Sequence, residues 1–334
     1  MHSRVISTRF FTPLFPLLLL FLILLAACGQ TPTSSNTAST TPMPTPVALD
    51  AYGTPIVYPT TAPQRIVSLV PTTSEMLASL SLDSKVVAVD YYTNYPADLT
   101  ALPRVSDVNG KYNVEQIVSL KPELVLSYGA DTKQYDSQLT NLGLHVVDLP
   151  SANLTQILQE IEVVGRLTFT QDTAAKVVQK LQKQINVVRA TVARTPMPKV
   201  MIEADYSTPG KPYVFGGGSF GDELILDANA INVFHDNSSG GGFPQVTDEA
   251  VISNNPQYIV LTEDPQYGGN VDAVYKRPNW GSIDAVQSHH AYRLNSDLIG
   301  RPGPRLVERL QCLAQLVHPE KFSTVLPADC TATV

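Results

Sequence analysis

From Pro63 onward, short β-branched runs alternate with segments whose apolar residues recur every three or four positions, the pattern of parallel α/β units. Strands are predicted at 65–69, 85–89, 124–127 and 145–147, with helices at 113–120, 132–142 and 154–164 between them. A second series begins at Pro198, with strands at 199–203, 258–262 and 291–294 and helices at 219–227, 248–253 and 305–317. Joining the two series, 172–194 carries Ala174, Val177, Val178, Leu181, Ile185, Val188 and Val192 on one helical face. No Gly or Pro interrupts it, and about 23 residues at 1.5 Å each make a rod of roughly 35 Å. Pro196 and Pro198 stop it. The fold class expected is α/β, two Rossmann-like lobes joined by a single long helix with a cleft between them.

The amino end follows another rule. His2, Arg4 and Arg9 precede an apolar run from Leu14 to Ala27 broken only by Pro16, the tripartite pattern of an export signal. About 14 residues is short for a transmembrane span of about 20. No Asp or Glu occurs before Asp50, and 31–46 is rich in Ser, Thr and Pro, a composition that stays extended and solvated. The boundaries expected are 1–27 signal peptide, 28–62 tether, 63–168 first lobe, 169–196 connecting helix, 197–322 second lobe and 323–334 tail.

Composition narrows the function. Charged residues are 16% of the chain, below the usual level of about 25%. The net charge is −7, with 23 Lys and Arg against 30 Asp and Glu, so no basic surplus exists to neutralise nucleic-acid phosphates. Cys28, Cys312 and Cys330 lack zinc-ligand spacing.

One segment occurs twice. Residues 113–126, NVEQIVSLKPELVL, align without gaps on 247–260, TDEAVISNNPQYIV. Each copy has a capping residue, a glutamate in the first helical turn, a Ser, a helix-ending Pro and a buried strand. Glu115 and Glu249 therefore occupy equivalent places, one exposed carboxylate on each lobe. A first-turn acid also complements the helix dipole, by about 0.3–1 kcal/mol.

With the marks RIVSL at 65–69, YTNYP at 92–96, the 113–126 segment, FPQV at 243–246, Ser296-Asp297, Arg301 and Pro304-Arg305, the chain resembles the iron-siderophore and cobalamin family of periplasmic substrate-binding proteins, the cobalamin binders most. The likeness covers about 63–322. Leu25-Ala26-Ala27-Cys28 likewise resembles the lipobox of bacterial lipoproteins, which implies that Cys28 becomes a lipidated first residue anchoring the chain to the outer face of the cytoplasmic membrane. The family resemblance implies a ligand held between two lobes, and Glu115 and Glu249 docking on basic residues of an ABC permease that works with its ATPase. Positions matching the cobalamin binder's cleft are Tyr92, Val108, Tyr128, Tyr213, Phe243 and Asp297. Three keep an aromatic ring matched to a flat, mostly apolar ligand, and Asp297 can accept hydrogen bonds from corrin amides. Val108 and Tyr128 stand where that binder has tryptophans, while Trp280, the one tryptophan, lies elsewhere. The function expected is capture and delivery of a cobalt corrinoid by a monomer that is not an enzyme and has no resident cofactor or metal. The alternatives are a ferric siderophore or heme receptor using Arg301 or Arg305, and an exported hydrolase.

Other motifs weigh less. Gly216-Gly217-Gly218-Ser219-Phe220-Gly221 fits a dinucleotide fingerprint, but it comes late in the chain rather than in a first βαβ unit, and it reads better as a cleft loop. His289-His290 has no third ligand at metal spacing, and nothing in the sequence supports an axial ligand to heme or cobalt from His235, His289 or His290. No Gly-x-Ser-x-Gly elbow occurs. The adjacent acids Asp222-Glu223 and Glu263-Asp264 read as solvated edges. In an oxidising compartment, Cys312 and Cys330 either remain thiols or form a bridge stabilising by about 3 kcal/mol.

Overall fold

The computed structural model describes residues 48–129, 132–150, 153–263, 269–299, 301–323 and 326–331. Cys28, the apolar run and most of the Ser/Thr/Pro tract lie outside them.

The first sheet is built from β1 (Ile66–Ser68), β2 (Val86–Ala88), β3 (Leu124–Tyr128) and β4 (Val146–Leu149). All its pairings are parallel, in the order β2-β1-β3-β4. Its helices are α1 (Pro71–Ser79), α2 (Val114–Ser119), α3 (Lys133–Asn141) and α4 (Leu154–Leu167). Then α5 runs from Gln171 to Val192, 22 residues. The second lobe has β5 (Lys199–Asp205), β6 (Tyr213–Val214), α6 (Phe220–Asp227), β7 (Ile231–Asn232), α7 (Asp248–Asn254), β8 (Tyr258–Leu261), β9 (Ala291–Arg293) and α8 (Leu306–Val317). Here β5 and β8 are central, β9 flanks β8, and β6 and β7 share the other side of β5, with β6 the one antiparallel member.

The period-2 alternation of the strands sorts their side chains into three cores. Ile66, Leu124, Leu126, Val200, Ile202 and Val260 join a central core shared by both sheets and filled by α1, α4, α5 and α8. Val67, Val125, Ile117 and Leu139 form a core outside the first sheet. Met201, Ile259, Leu261 and Trp280 form its counterpart outside the second. Strands buried on both faces explain why they read as unbroken apolar runs.

Helix α5 is buried at Ala174, Leu181, Ile185, Val188 and Val192, on the face expected. Its close approach to α4 depends on Gly165, where a Cβ would stand 2.5 Å from that of Ala174. Cys312 on α8 and Cys330 are joined by a disulfide with Cα atoms 5.7 Å apart. Before β1, Ala51 and Tyr52 hold the entering chain on the first lobe: Ala51 N–H donates to the Asp148 carbonyl at 2.8 Å, and the Tyr52 hydroxyl sits 2.7 Å from both the Asp136 and Asp148 carboxylates. Among the described residues, no helix is long and apolar enough to cross a membrane.

Candidate functional site

In parallel sheets ligands gather at the carboxyl ends of the strands, and here polar contacts tie those two edges to each other. Asn94, after β2, donates its amide to Asp297, after β9, at 2.6 Å and accepts from Arg301 at 2.7 Å. Arg301 also pairs with Asp297. Glu75 on α1 is buried and holds Arg305 through two hydrogen bonds, of 3.1 and 2.5 Å. At the start of α4, the Leu154 N–H donates to Glu223 of α6 at 2.6 Å, and burial raises the Glu223 carboxyl above its ordinary range. Arg309, one turn beyond Arg305, is fully buried with no hydrogen-bond partner among the described residues, and desolvation pulls its guanidinium down to about 10.

The turn after β2 presents the first aromatic face. Asp90 is buried, which raises its carboxyl; it accepts from the Tyr92 N–H at 2.7 Å and from the Thr93 hydroxyl. Arg104 clamps the same turn through the carbonyls of Asp90 and Thr93, at 2.9 and 2.7 Å. Tyr91 and Tyr92 are thereby left 47% and 48% exposed, edge to face at 5.2 Å. The Tyr92 hydroxyl donates to the carbonyl of Val108, which is itself exposed. Tyr95 beside them is covered by the Arg305 guanidinium, 4.4 Å from the ring centre.

On the second lobe Tyr213 faces outward, 40% exposed, opposite Asp205 at the carboxyl end of β5. Phe243 is half-buried against Phe215, 4.9 Å between ring centres. It follows Gly240, Gly241 and Gly242, all at positive φ, a run that only glycine adopts without strain. Tyr128 differs from the others: it is buried at the end of β3, beside Glu160. Asp297 is already engaged across the lobes by Asn94 and Arg301.

One sequence expectation holds and one is corrected. The glycine-rich turn at 216–221 is no phosphate cradle, because a Cβ at Gly216 would lie 2.1 Å from the Asn237 carbonyl and one at Gly217 1.9 Å from that of His235. The space is filled by backbone. Asp222 and Glu263 are not solvated edges. Asp222 is buried and accepts from Asn232 at 2.9 Å, while Glu263 is buried next to Glu203, and burial first, then that neighbour, push its carboxyl up to about 8. The sequence reading missed Glu75 and Asn94. Asn94 lies within a quoted mark, yet its partner is 203 residues away, a pairing that no local pattern encodes.

The two glutamates of the repeat are exposed and built alike. The Asn113 side chain caps α2 through the Gln116 N–H at 3.0 Å, and Thr247 caps α7 through the Ala250 N–H at 3.3 Å. Hydrogen bonds from its own backbone N–H and from Thr247 hold the Glu249 carboxyl below its usual range. A groove of about 710 Å³ opens beside Glu115, lined in part by Arg104, Lys111, Tyr112, Tyr135 and Gln138.

Known proteins share this architecture. The chain is 31% identical over 313 residues to the ABC transporter substrate-binding lipoprotein YvrC of Bacillus subtilis, covering 91% of this chain and 96% of that one. It is 26% identical over 250 residues to the vitamin B12-binding protein of Vibrio cholerae, covering 74% and 87%. In fold it superposes on the solved periplasmic vitamin B12-binding protein BtuF of Vibrio cholerae with a TM-score of 0.65 at 24% identity, covering 77% and 97%. It also superposes on the periplasmic heme-binding protein RhuT of Roseiflexus sp. RS-1 with a TM-score of 0.68 at 23% identity, covering 78% and 99%. The periplasmic binding protein family model matches residues 66–298, spanning both sheets and the long helix, and the chain belongs to that family.

Proposed function

We propose that this protein is the lipid-anchored substrate-binding component of an ABC importer, that it captures a corrinoid between its lobes and hands it to the permease, and that it catalyses no reaction. The observation that carries the ligand class is the pair of exposed aromatic faces, Tyr91 and Tyr92 on one carboxyl edge and Tyr213 on the other, in a chain similar across both lobes to vitamin B12-binding proteins. Flat apolar ligands are held by such faces, with few polar groups fixing their orientation.

The engagement of the arginines supports a corrinoid over an anionic iron chelate. Arg301 is paired with Asp297, Arg305 with Glu75, and Arg104 with backbone carbonyls. Binding a multiply charged siderophore there would break the Arg305–Glu75 pair, whose carboxylate is buried, at about 3–5 kcal/mol. The name of the Bacillus subtilis relative and the Cys28 motif support the lipid anchor.

Calorimetric titration with cyanocobalamin, cobinamide, hemin and a panel of ferric siderophores tests the ligand class. Submicromolar corrinoid binding is expected, weakened about tenfold or more by Tyr92→Ala or Phe243→Ala, as for loss of an aromatic anchor. Binding of iron complexes alone would replace the corrinoid and leave the family standing.

A further inference from the structure

We propose that His235 is an axial ligand, through Nε2, to the metal of a planar macrocyclic complex bound in the cleft; this rests on the proposed function and deepens it. The imidazole is built for that role. Its Nδ1 lies 3.0 Å from both carboxylate oxygens of Asp222. Asp222 is held in turn by Asn232 at 2.9 Å, and its N–H donates to the Ser219 hydroxyl at 3.1 Å. A carboxylate accepting from one ring nitrogen fixes the tautomer and leaves the other nitrogen's lone pair pointing outward, the usual support of a metal-bound histidine. The His235 side chain is 54% exposed while Asp222 is 5% exposed, and Nε2 makes no hydrogen bond to the described residues.

Topology puts the ring at the right edge. His235 follows β7, whose parallel pairing with β5 places the residues after it toward the carboxyl side. The backbone of 235–237 packs on Gly216 and Gly217, and Pro244, next to Phe243, packs on Gly216. His235 thus belongs to the wall that carries Tyr213 and Phe243. The other described histidines are committed elsewhere. His290 stacks on Tyr258 at 4.7 Å and His289 leans on Tyr275, both before β9 and so at the opposite edge. His318 is buried against the Ala228 carbonyl, and His145 precedes β4.

On binding, the Nε2 lone pair enters the coordination sphere and the axial water leaves; an imidazolium first releases its proton to solvent.

The test uses the full chain in mild detergent with two probes, cobinamide reduced to the cobalt(II) state and hemin. Nitrogen-14 has spin one, so one axial imidazole splits each cobalt hyperfine line of the electron paramagnetic resonance spectrum into a triplet. The triplet is expected in the wild type and absent in His235→Ala, with Kd rising about tenfold or more, and a weakened triplet is expected in Asp222→Asn. Hemin ligated through a histidine that His235→Ala removes, with no cobinamide binding, would keep the role and assign it to iron. Cobinamide bound without a triplet, or a triplet that survives His235→Ala, would overturn the assignment and leave the corrinoid reading intact. Failure to bind either probe would remove both.

Discussion

Single side chains separate what sequence can show from what it cannot. Tyr92 and Phe243 lie in local motifs, and their neighbours along the chain, Asp90 and Gly240 to Gly242, are the residues that set their orientation. Tyr128 was matched by position alone, and position does not say which way a ring at a strand end points; this one is buried next to Glu160. Desolvation pushes the Glu160 carboxyl up to about 9, with Asp148 adding to it and Tyr128 opposing. The folded chain then keeps a proton that the unfolded chain gives up near pH 4.5, so stability is whole below that value and falls as pH climbs toward about 9. Glu160→Gln, which keeps the shape and removes the titration, is expected to flatten this loss, which runs at up to about 1.4 kcal/mol per pH unit. Thermal melts from pH 5 to 9 check it; an unchanged slope would place the proton elsewhere.

Elements with a strong period were the most legible. The amphipathic faces of α4, α5 and α8 and the β-branched runs of the central strands were placed within a few residues of where they stand. Helix α1 was not foreseen, because Thr72, Thr73, Ser74 and Glu75 are buried in it and only Met76 and Leu77 add apolar surface. The Thr73 and Ser74 hydroxyls both meet that of Ser68, at 2.6 and 2.8 Å, a tertiary arrangement that polarity in the sequence argues against. The two-residue strands β6 and β7 owe their place to β5 and carry little signal of their own. The α4–α5 crossing gives a test in which two effects oppose. Gly to Ala within a helix ordinarily stabilises by about 0.5–1 kcal/mol. In Gly165→Ala the new methyl meets Ala174 at 2.5 Å, and overpacking costs about 1–3 kcal/mol. Net destabilisation is expected in urea unfolding, and a gain would mean that the crossing relaxes freely.

Across the whole molecule, the lobes are tied by Glu75–Arg305, by Asn94 with Asp297 and Arg301, and by a core common to both sheets. Such a body transmits a push on one lobe to the cleft rather than absorbing it in a hinge. The release we propose is differential affinity, tight in the free protein and weaker when the permease engages Glu115 and Glu249. Both carboxylates are exposed on capped helices and reachable by basic side chains. The double variant Glu115→Lys, Glu249→Lys is expected to abolish uptake in cells while leaving the calorimetric Kd of the purified protein unchanged. Uptake at the wild-type rate would end the docking reading.

The shared core also bears on the order in which the chain folds. Its last large helix, α8, contributes Leu306, Leu310, Leu313 and Val317 to the same core as Ile66 and Leu124, so the first lobe made lacks much of its packing until the final tenth of the polypeptide arrives. A fold that depends on contacts so distant in sequence forms slowly. The arrangement that stiffens the finished protein therefore also delays its completion.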